Sequence, residues 1–153
     1  MKTKRTHLGI AAGVIGFMAG PAAVAAQQGY QPAVAVEGIR TFDIGAISAT
    51  VLVDAATLGG GELEMVRMIF PPGPTTGGQH NHGRVEIFYV LSGVLEHEVN
   101  GERHRLEPGM VGIVRPEDTV AHRVLSDEPV ETLVIWAPGG ELARFDGVGD
   151  PSR

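Results

Sequence analysis

The stretch GGQHNHGRVEIFYVLSG (77–93) contains two histidines two positions apart, then a glutamate, then an apolar run that ends at a glycine. Residues two apart on a β-strand point to the same face, so an extended chain here would present His80 and His82 together. Glu86 and Phe88 keep the same parity if the strand continues. The pattern therefore predicts a strand with two imidazoles, one carboxylate and an aromatic ring on one face.

Burying these polar groups is costly unless a partner satisfies them. A divalent first-row transition metal is a suitable partner, because neutral histidines and a carboxylate are among its usual ligands. The alternative is a partly exposed polar loop, since the preceding segment PPGPTTGG (71–78) is typical of one. The three residues by themselves leave both interpretations open.

The rest of the chain consists of short apolar-alternating or β-branched runs separated by Gly and Pro, and none keeps a helical period. Strands with such regular turn signals favour a sandwich or a barrel. Only GGELARF (139–145) predicts a helical turn. The predicted strands lie within 33–42, 47–55, 62–70, 84–92, 94–100, 102–108, 110–116, 121–126 and 130–138.

One hairpin can be predicted in register, because Asn100-Gly101 is the strongest short signal for a two-residue turn. The turn sets His97 opposite His104 and places opposite charges across one face, which we expect to face water. The other face is expected to point inward or to the rim of the barrel, and it carries Leu95, His97, Val99, His104 and Leu106. The two histidines are interpreted as a stacked pair near the rim; a proton-shuttling role and a weak second metal site are the alternatives.

Taken together, these motifs resemble the cupin family, whose first motif is G-x5-H-x-H-x3/4-E-x6-G. His80, His82, Glu86 and Gly93 fit it from the first histidine onward, whereas Pro74 stands where the leading glycine is expected.

The second cupin motif, G-x5-P-x-G-x2-H-x3-N, is matched more loosely. Gly109 and His122 fit their places, and Pro116 comes one residue late. Asp118 replaces a glycine, three residues rather than two precede His122, and Ser126 replaces the final asparagine. The extra residue bears directly on the direction of the His122 side chain.

The resemblance implies an all-β fold, a double-stranded β-helix or jelly-roll barrel spanning 60–140. It also implies one divalent transition metal inside the barrel (zinc, copper, nickel, iron or manganese), bound by His80, His82, Glu86 and His122. Asp118 could orient a ligating imidazole without binding the metal itself, or it could serve only in a turn. A homodimer is expected through the N-terminal strands within 27–59.

Two functions follow from the resemblance. One is a dioxygenase-like enzyme that acts on a small oxygenated substrate, and the other is a non-catalytic module that binds a small molecule or a metal. The inward positions beside the ligands, including Met65 and Phe88, predict a largely apolar pocket.

The first 26 residues combine a basic head, a short apolar core and small residues, as an export signal peptide does. The apolar core is too short to span a bilayer stably, so we expect a periplasmic or secreted protein with no membrane span after cleavage. Without 1–26 the chain has nine basic and eighteen acidic residues. This balance argues against nucleic-acid partners. Residues 141–153 are predicted to form a C-terminal tail.

Overall fold

The computed structural model describes residues 40–73 and 78–146. The expected signal peptide and residues 27–39 therefore lie outside the described residues. The elements are β1 (Thr41–Ile44), β2 (Ile47–Val53), the one-turn helix α1 (Ala55–Leu58), β3 (Glu64–Phe70), β4 (Val85–Ser92), β5 (Leu95–Val99), β6 (Glu102–Leu106), β7 (Val111–Val114), β8 (Val120–Val124), β9 (Val130–Ala137) and a 3₁₀ helix (Leu142–Phe145). No helix among the described residues is long and apolar enough to cross a membrane.

The strands form two antiparallel sheets. The larger has the order β1-β2-β3-β9-β4-β7, and the smaller has the order β6-β5-β8. The buried apolar side chains come from both sheets and form one core, which includes Val66, Phe88, Leu95, Val124 and Trp136. The all-β barrel fold is thereby confirmed, because alternating residues of nearly every strand are buried against this core.

The hairpin between β5 and β6 has the predicted register, with His97 opposite His104. Asn100 and Gly101 both have positive φ, at 52° and 83°, as a two-residue turn of the I′ type requires. The predicted orientation is only half right. His97 is buried, but His104 lies exposed on β6, the edge strand of the smaller sheet.

Two boundaries and one helix differ from the sequence predictions. The barrel begins before residue 60, because β1 and β2 belong to the larger sheet and β2 pairs with β3. The chain from Glu141 is not yet a tail, because Glu141 and Leu142 are buried. The helix α1 was not predicted; Asp54 accepts the Thr57 amide at 2.9 Å and caps it.

The parity of β3 was also predicted wrongly. Met65 is only half-buried on the outer side, while Glu64, Val66, Met68 and Phe70 face the core. The run ELEMVRMIF has apolar residues at both parities, so alternation alone could not select the inner face.

Candidate metal centre

The predicted ligands lie around one cavity of about 340 Å³ between the two sheets. Glu86 comes from β4 and His122 from β8, whereas His80 and His82 precede β4. The cavity is lined by Ile44, Ile47, Met68, Phe70, Gly78, Gln79, His80, His82, Glu86, Phe88, His122, Trp136, Glu141, Arg144 and Phe145.

The two neighbouring histidines are not on a regular strand, which corrects the prediction for this stretch. His80 forms an isolated bridge with Val120, with backbone hydrogen bonds of 3.0 and 2.7 Å, and Gly83 then adopts a φ of 65° before β4 begins. The bridge connects the first motif to β8, which carries His122 two residues further on. The four side chains are thus brought together by this bridge and not by strand alternation alone.

His80 and His82 contact each other edge to face, with ring centroids 4.8 Å apart, and His80 lies 6.0 Å from His122. His80 is half-buried, and its Nδ1 donates to the carbonyl of Gly78 at 2.9 Å. This bond directs the other ring nitrogen away from the backbone. The side chains cluster, but within 40–73 and 78–146 no three His, Asp or Glu residues are spaced as a formed metal site.

His82 is buried between two carboxylates. Its Nδ1 donates to Glu141 Oε1 at 2.9 Å, and its Nε2 lies 2.9 Å from Glu86 Oε2. Burial lowers the pKa of His82, but the hydrogen bond to Glu141 and the nearby charge of Glu86 outweigh burial and raise the pKa to about 9. Burial likewise opposes ionisation of Glu86, yet His82 brings its pKa below the ordinary value.

Glu86 is buried on β4 directly opposite Trp136 on β9. The indole nitrogen of Trp136 donates to Glu86 Oε2 at 2.8 Å. Trp136 is itself buried in the core, so its ring packs there while its indole nitrogen holds the carboxylate. The other oxygen, Glu86 Oε1, has no hydrogen-bond partner among the described residues.

His122 lies in apolar surroundings, which answers the doubt raised by the extra residue before it. Its ring stacks on Phe88 with centroids 4.7 Å apart and is only 6 % exposed. Burial, reinforced by the neighbouring histidines, lowers the pKa of His122 to about 3, against an opposing effect of Glu86. The imidazole is therefore neutral at physiological pH, as a metal ligand must be.

Asp118 does not touch the cavity. Its carboxylate accepts the Arg115 amide at 2.8 Å and the Asn100 side chain at 2.7 Å. Asp118 therefore does not orient a ligating imidazole, and it serves in the turn instead. The turn absorbs the extra residue, so that β8 starts with Val120 and His122 facing the core.

The two other histidines among the described residues, His97 and His104, do not line the cavity either. His97 lies behind His122, with ring centroids 5.1 Å apart, and neither of its ring nitrogens has a hydrogen-bond partner in the described part of the chain. A Cβ at Gly112 would come within 2.8 Å of His97 Nε2, so only glycine leaves room for this ring. His97 is therefore a buried imidazole that packs behind the cavity lining, and His104 is exposed.

Glu141 is the functional candidate that the sequence did not reveal. It is fully buried and contacts Arg84 and Arg144 as well as His82, with Arg84 Nε 3.2 Å from Oε2 and Arg144 Nη1 2.6 Å from Oε1. It stands just before the 3₁₀ helix but makes no side-chain cap to it. The nearest sequence signal was the glutamate of GGELARF, which reads equally well as a cap.

Comparison with known proteins agrees with this architecture. Residues 66–136 match the cupin domain model. No curated protein sequence matches the chain.

Several solved structures share the fold. KdgF from a Halomonas species has a TM-score of 0.57 at 23% identity, over 67% of this chain and 90% of its own. An RmlC-like cupin from Shewanella frigidimarina gives 0.58 and 23%, over 73% and 91%. A predicted oxalate decarboxylase from Thermotoga maritima gives 0.58 and 21%, over 65% and 91%.

The two motifs around residues 80–93 and 109–126, the double-sheet barrel and the domain match agree with one another. Residues 66–136 of the chain form a cupin domain.

Proposed function

We propose that the chain binds one divalent transition metal through His80, His82, Glu86 and His122 and acts as a dioxygenase-like oxidoreductase on a small oxygenated molecule. One observation supports this most directly. His82 Nε2, Glu86 Oε1 and His122 Nε2 are buried beside the same cavity, and none of the three has a hydrogen-bond partner among the described residues. Leaving such atoms unsatisfied is costly, and a metal ion would satisfy all of them.

The donor set suits such an ion, because imidazole and carboxylate bind iron, copper, nickel, zinc and manganese. When bound by four protein ligands, the metal would supply open positions where oxygen and a chelating substrate can meet. The chain itself does the rest: Gly78 and Glu141 orient two imidazoles, Trp136 holds Glu86, and burial keeps His122 neutral.

The walls of the cavity limit the substrate. Most of the lining is apolar, with Phe70, Phe88 and Phe145 among its largest side chains, and Arg144 is the only arginine or lysine on the described lining. A small dianion would gain little from such walls. The cavity therefore favours a larger and less charged molecule with an apolar body and adjacent oxygens that can chelate the metal.

The cavity also gives a specific reason to keep the non-catalytic binding module as a second candidate. Besides the proposed ligands and Trp136, the polar side chains on the described lining are Gln79, Glu141 and Arg144. Glu141 and Arg144 are already bound to each other. On the described lining, every acidic or basic side chain is therefore either a proposed ligand or already bound to another side chain. This favours either chemistry that is centred on the metal or binding without turnover.

Loading the metal-free protein separately with each of the five candidate metals tests the proposal. Trp136 is the chain's single tryptophan and lies 5.9 Å from His82 between ring centroids, so bound copper or nickel should quench its fluorescence. Oxygen uptake with a panel of catechols and dicarbonyls then separates the two functions. Uptake that depends on both metal and substrate is expected. Metal binding without uptake would support the binding module, and absence of metal binding would contradict the enzyme and leave only a module that binds a small molecule.

We propose export from the composition of residues 1–26. The compartment in which the chain folds then determines which metal we expect it to bind. A nitrogen and oxygen site has little intrinsic selectivity, and affinity rises from manganese to copper. The segment KTKRT lacks the paired arginines of a twin-arginine signal, so folding outside the cytoplasm is expected to load zinc, copper or nickel. Elemental analysis of protein isolated from its native compartment tests this, and manganese or iron would contradict it.

The homodimer expected through the N-terminal strands within 27–59 stays a prediction, and we propose the outer face of the larger sheet near β4 and β7 as an alternative contact. Tyr89, Val111 and Ile113 are exposed there at 37%, 49% and 58%, and Tyr89 pairs with Val111 across neighbouring strands. Contiguous exposed apolar surface of this kind marks interfaces. Replacing Ile113 with Arg should convert a dimer to a monomer in light scattering without loss of folding; a wild-type monomer would contradict the proposal.

A further inference from the structure

The segment after the last strand is fastened to the loop that carries the proposed ligands. Arg84 donates to the carbonyls of Pro138, at 3.1 Å, and of Gly139, and Arg144 donates to the carbonyl of Asn81 at 2.9 Å. These bonds bridge more than fifty positions of sequence and bring Glu141 against the loop. A buried carboxylate is therefore held in place from both sides.

The bond that Glu141 makes to His82 differs from the contact on the other side of the ring. Nδ1 and Glu141 Oε1 meet hydrogen-bond geometry at 2.9 Å. Nε2 lies equally near Glu86 Oε2 but is not aligned with it, and it has no hydrogen-bond partner among the described residues. The ring is thus anchored by Nδ1, and Nε2 is the atom presented to the cavity.

Glu141 makes one local side-chain contact, because its Oε1 also accepts from Arg144 three residues later. It precedes the 3₁₀ helix without capping it. Its charge is balanced by Arg84 and Arg144, which are the two side chains that also hold the segment. The contacts that hold the segment in place therefore also direct the carboxylate of Glu141 toward His82.

We infer that Glu141 is a positioning residue: it holds the Nδ1 proton of His82 and turns Nε2 toward the metal, so that residues 138–146 complete the site. The inference rests on the proposed metal function. It extends the site beyond the matched domain, which ends at residue 136. Carboxylates that orient a ligating imidazole in this way raise its basicity and fix its tautomer.

Replacing Glu141 with Met tests the role, with Glu64→Met as the matched control. Glu64 is also a buried carboxylate, and it accepts the Leu142 amide at 3.0 Å, but it touches none of the proposed ligands. Both changes remove a carboxylate that holds the same segment. Only the change at Glu141 should affect His82.

Two readouts separate positioning from general stability. In metal-free protein the His82 Nδ1 proton should give a slowly exchanging downfield NMR signal that Glu141→Met abolishes and Glu64→Met retains. Titration with Co²⁺ should show affinity about 10- to 100-fold weaker for Glu141→Met, and about unchanged for Glu64→Met. At saturating Co²⁺, the visible absorption bands should change only for Glu141→Met.

The milder variant Glu141→Gln keeps an oxygen for Nδ1 but removes the charge. Its proton signal should persist and move upfield, and its Co²⁺ affinity should fall less than that of Glu141→Met. An unchanged signal in this variant overturns the inference even if Glu141→Met does not fold. Equal losses in Glu64→Met and Glu141→Met also overturn it. If wild-type protein binds no Co²⁺, the metal function fails; if wild type and Glu141→Met bind Co²⁺ equally, only the positioning role fails.

Discussion

His82 and His122 line one cavity, but their side chains lie in opposite environments. His82 is buried between two carboxylates, and its pKa is raised to about 9 because the hydrogen bond to Glu141 and the nearby charge of Glu86 outweigh burial. His122 is stacked on Phe88, and burial lowers its pKa to about 3. Yet each presents an Nε2 without a hydrogen-bond partner in the described structure. His122 is therefore neutral before a metal binds, whereas His82 carries a proton on Nε2 that metal binding must release.

The largest expected effect comes from removing the charged side's imidazole. His82→Ala should abolish stoichiometric metal binding, and the metal-loaded protein should then melt like the metal-free form. Binding to the folded state alone stabilises by about 4 kcal/mol at a thousandfold excess over the dissociation constant. Calorimetry with and without metal measures this loss. The exposed His104→Ala is the control, and full metal content in His82→Ala would remove this residue from the ligand set.

On the apolar side, around His122, a substitution should lower the free energy of unfolding. Phe88 is 1% exposed and packs on both His122 and His97, so Phe88→Ala should cost about 3 kcal/mol of unfolding free energy through the cavity it leaves. Denaturant unfolding of metal-free protein measures it. Leu58→Ala, at an exposed position away from the cavity and from the proposed dimer surface, should cost about 0.5 kcal/mol or less. Similar losses in the two variants would contradict the idea of a packed wall behind His122.

These two sides were unequally predictable from the sequence. The Asn100-Gly101 turn fixed the register of β5 and β6, because a two-residue loop permits a single pairing. Alternation also identified the inner face of β4, where Glu86, Phe88 and Val90 are buried.

The charged side depends on contacts that local patterns do not encode. His82 and Glu141 are 59 residues apart, and their contact requires β9 to lie beside β4, an order no turn signal specifies. The exposure of His104 likewise depends on β6 being an edge strand. Strand parity gives the face of a residue, but the sheet order decides whether that face is covered.

A smaller effect is expected where the two sides meet at Glu86. Trp136→Phe removes the indole donor at 2.8 Å and leaves Glu86 Oε2 without it. Loss of a hydrogen bond to a buried charged group should cost about 2 kcal/mol. Thermal unfolding followed by circular dichroism measures this in metal-free protein. Bound metal should recover part of the loss if Glu86 is a ligand, because the metal then takes over the carboxylate; a loss that is equal with and without metal would argue that Glu86 does not bind it.

The smallest effect tests whether the outer surface of the smaller sheet influences His122 behind it. Arg123, the next residue on β8, pairs with Glu96 on β5 at 2.9 Å, and both side chains are partly exposed. A double-mutant cycle with Arg123→Gln and Glu96→Gln should give a coupling of about 0.5 kcal/mol that decreases with salt, as expected for a partly exposed pair. Metal affinity should stay unchanged in all three variants, because strand alternation places these charges on the face opposite His122. A salt-dependent change in metal affinity would show that the charged exterior acts through the sheet, and the environment of His122 could then not be described by apolar packing alone.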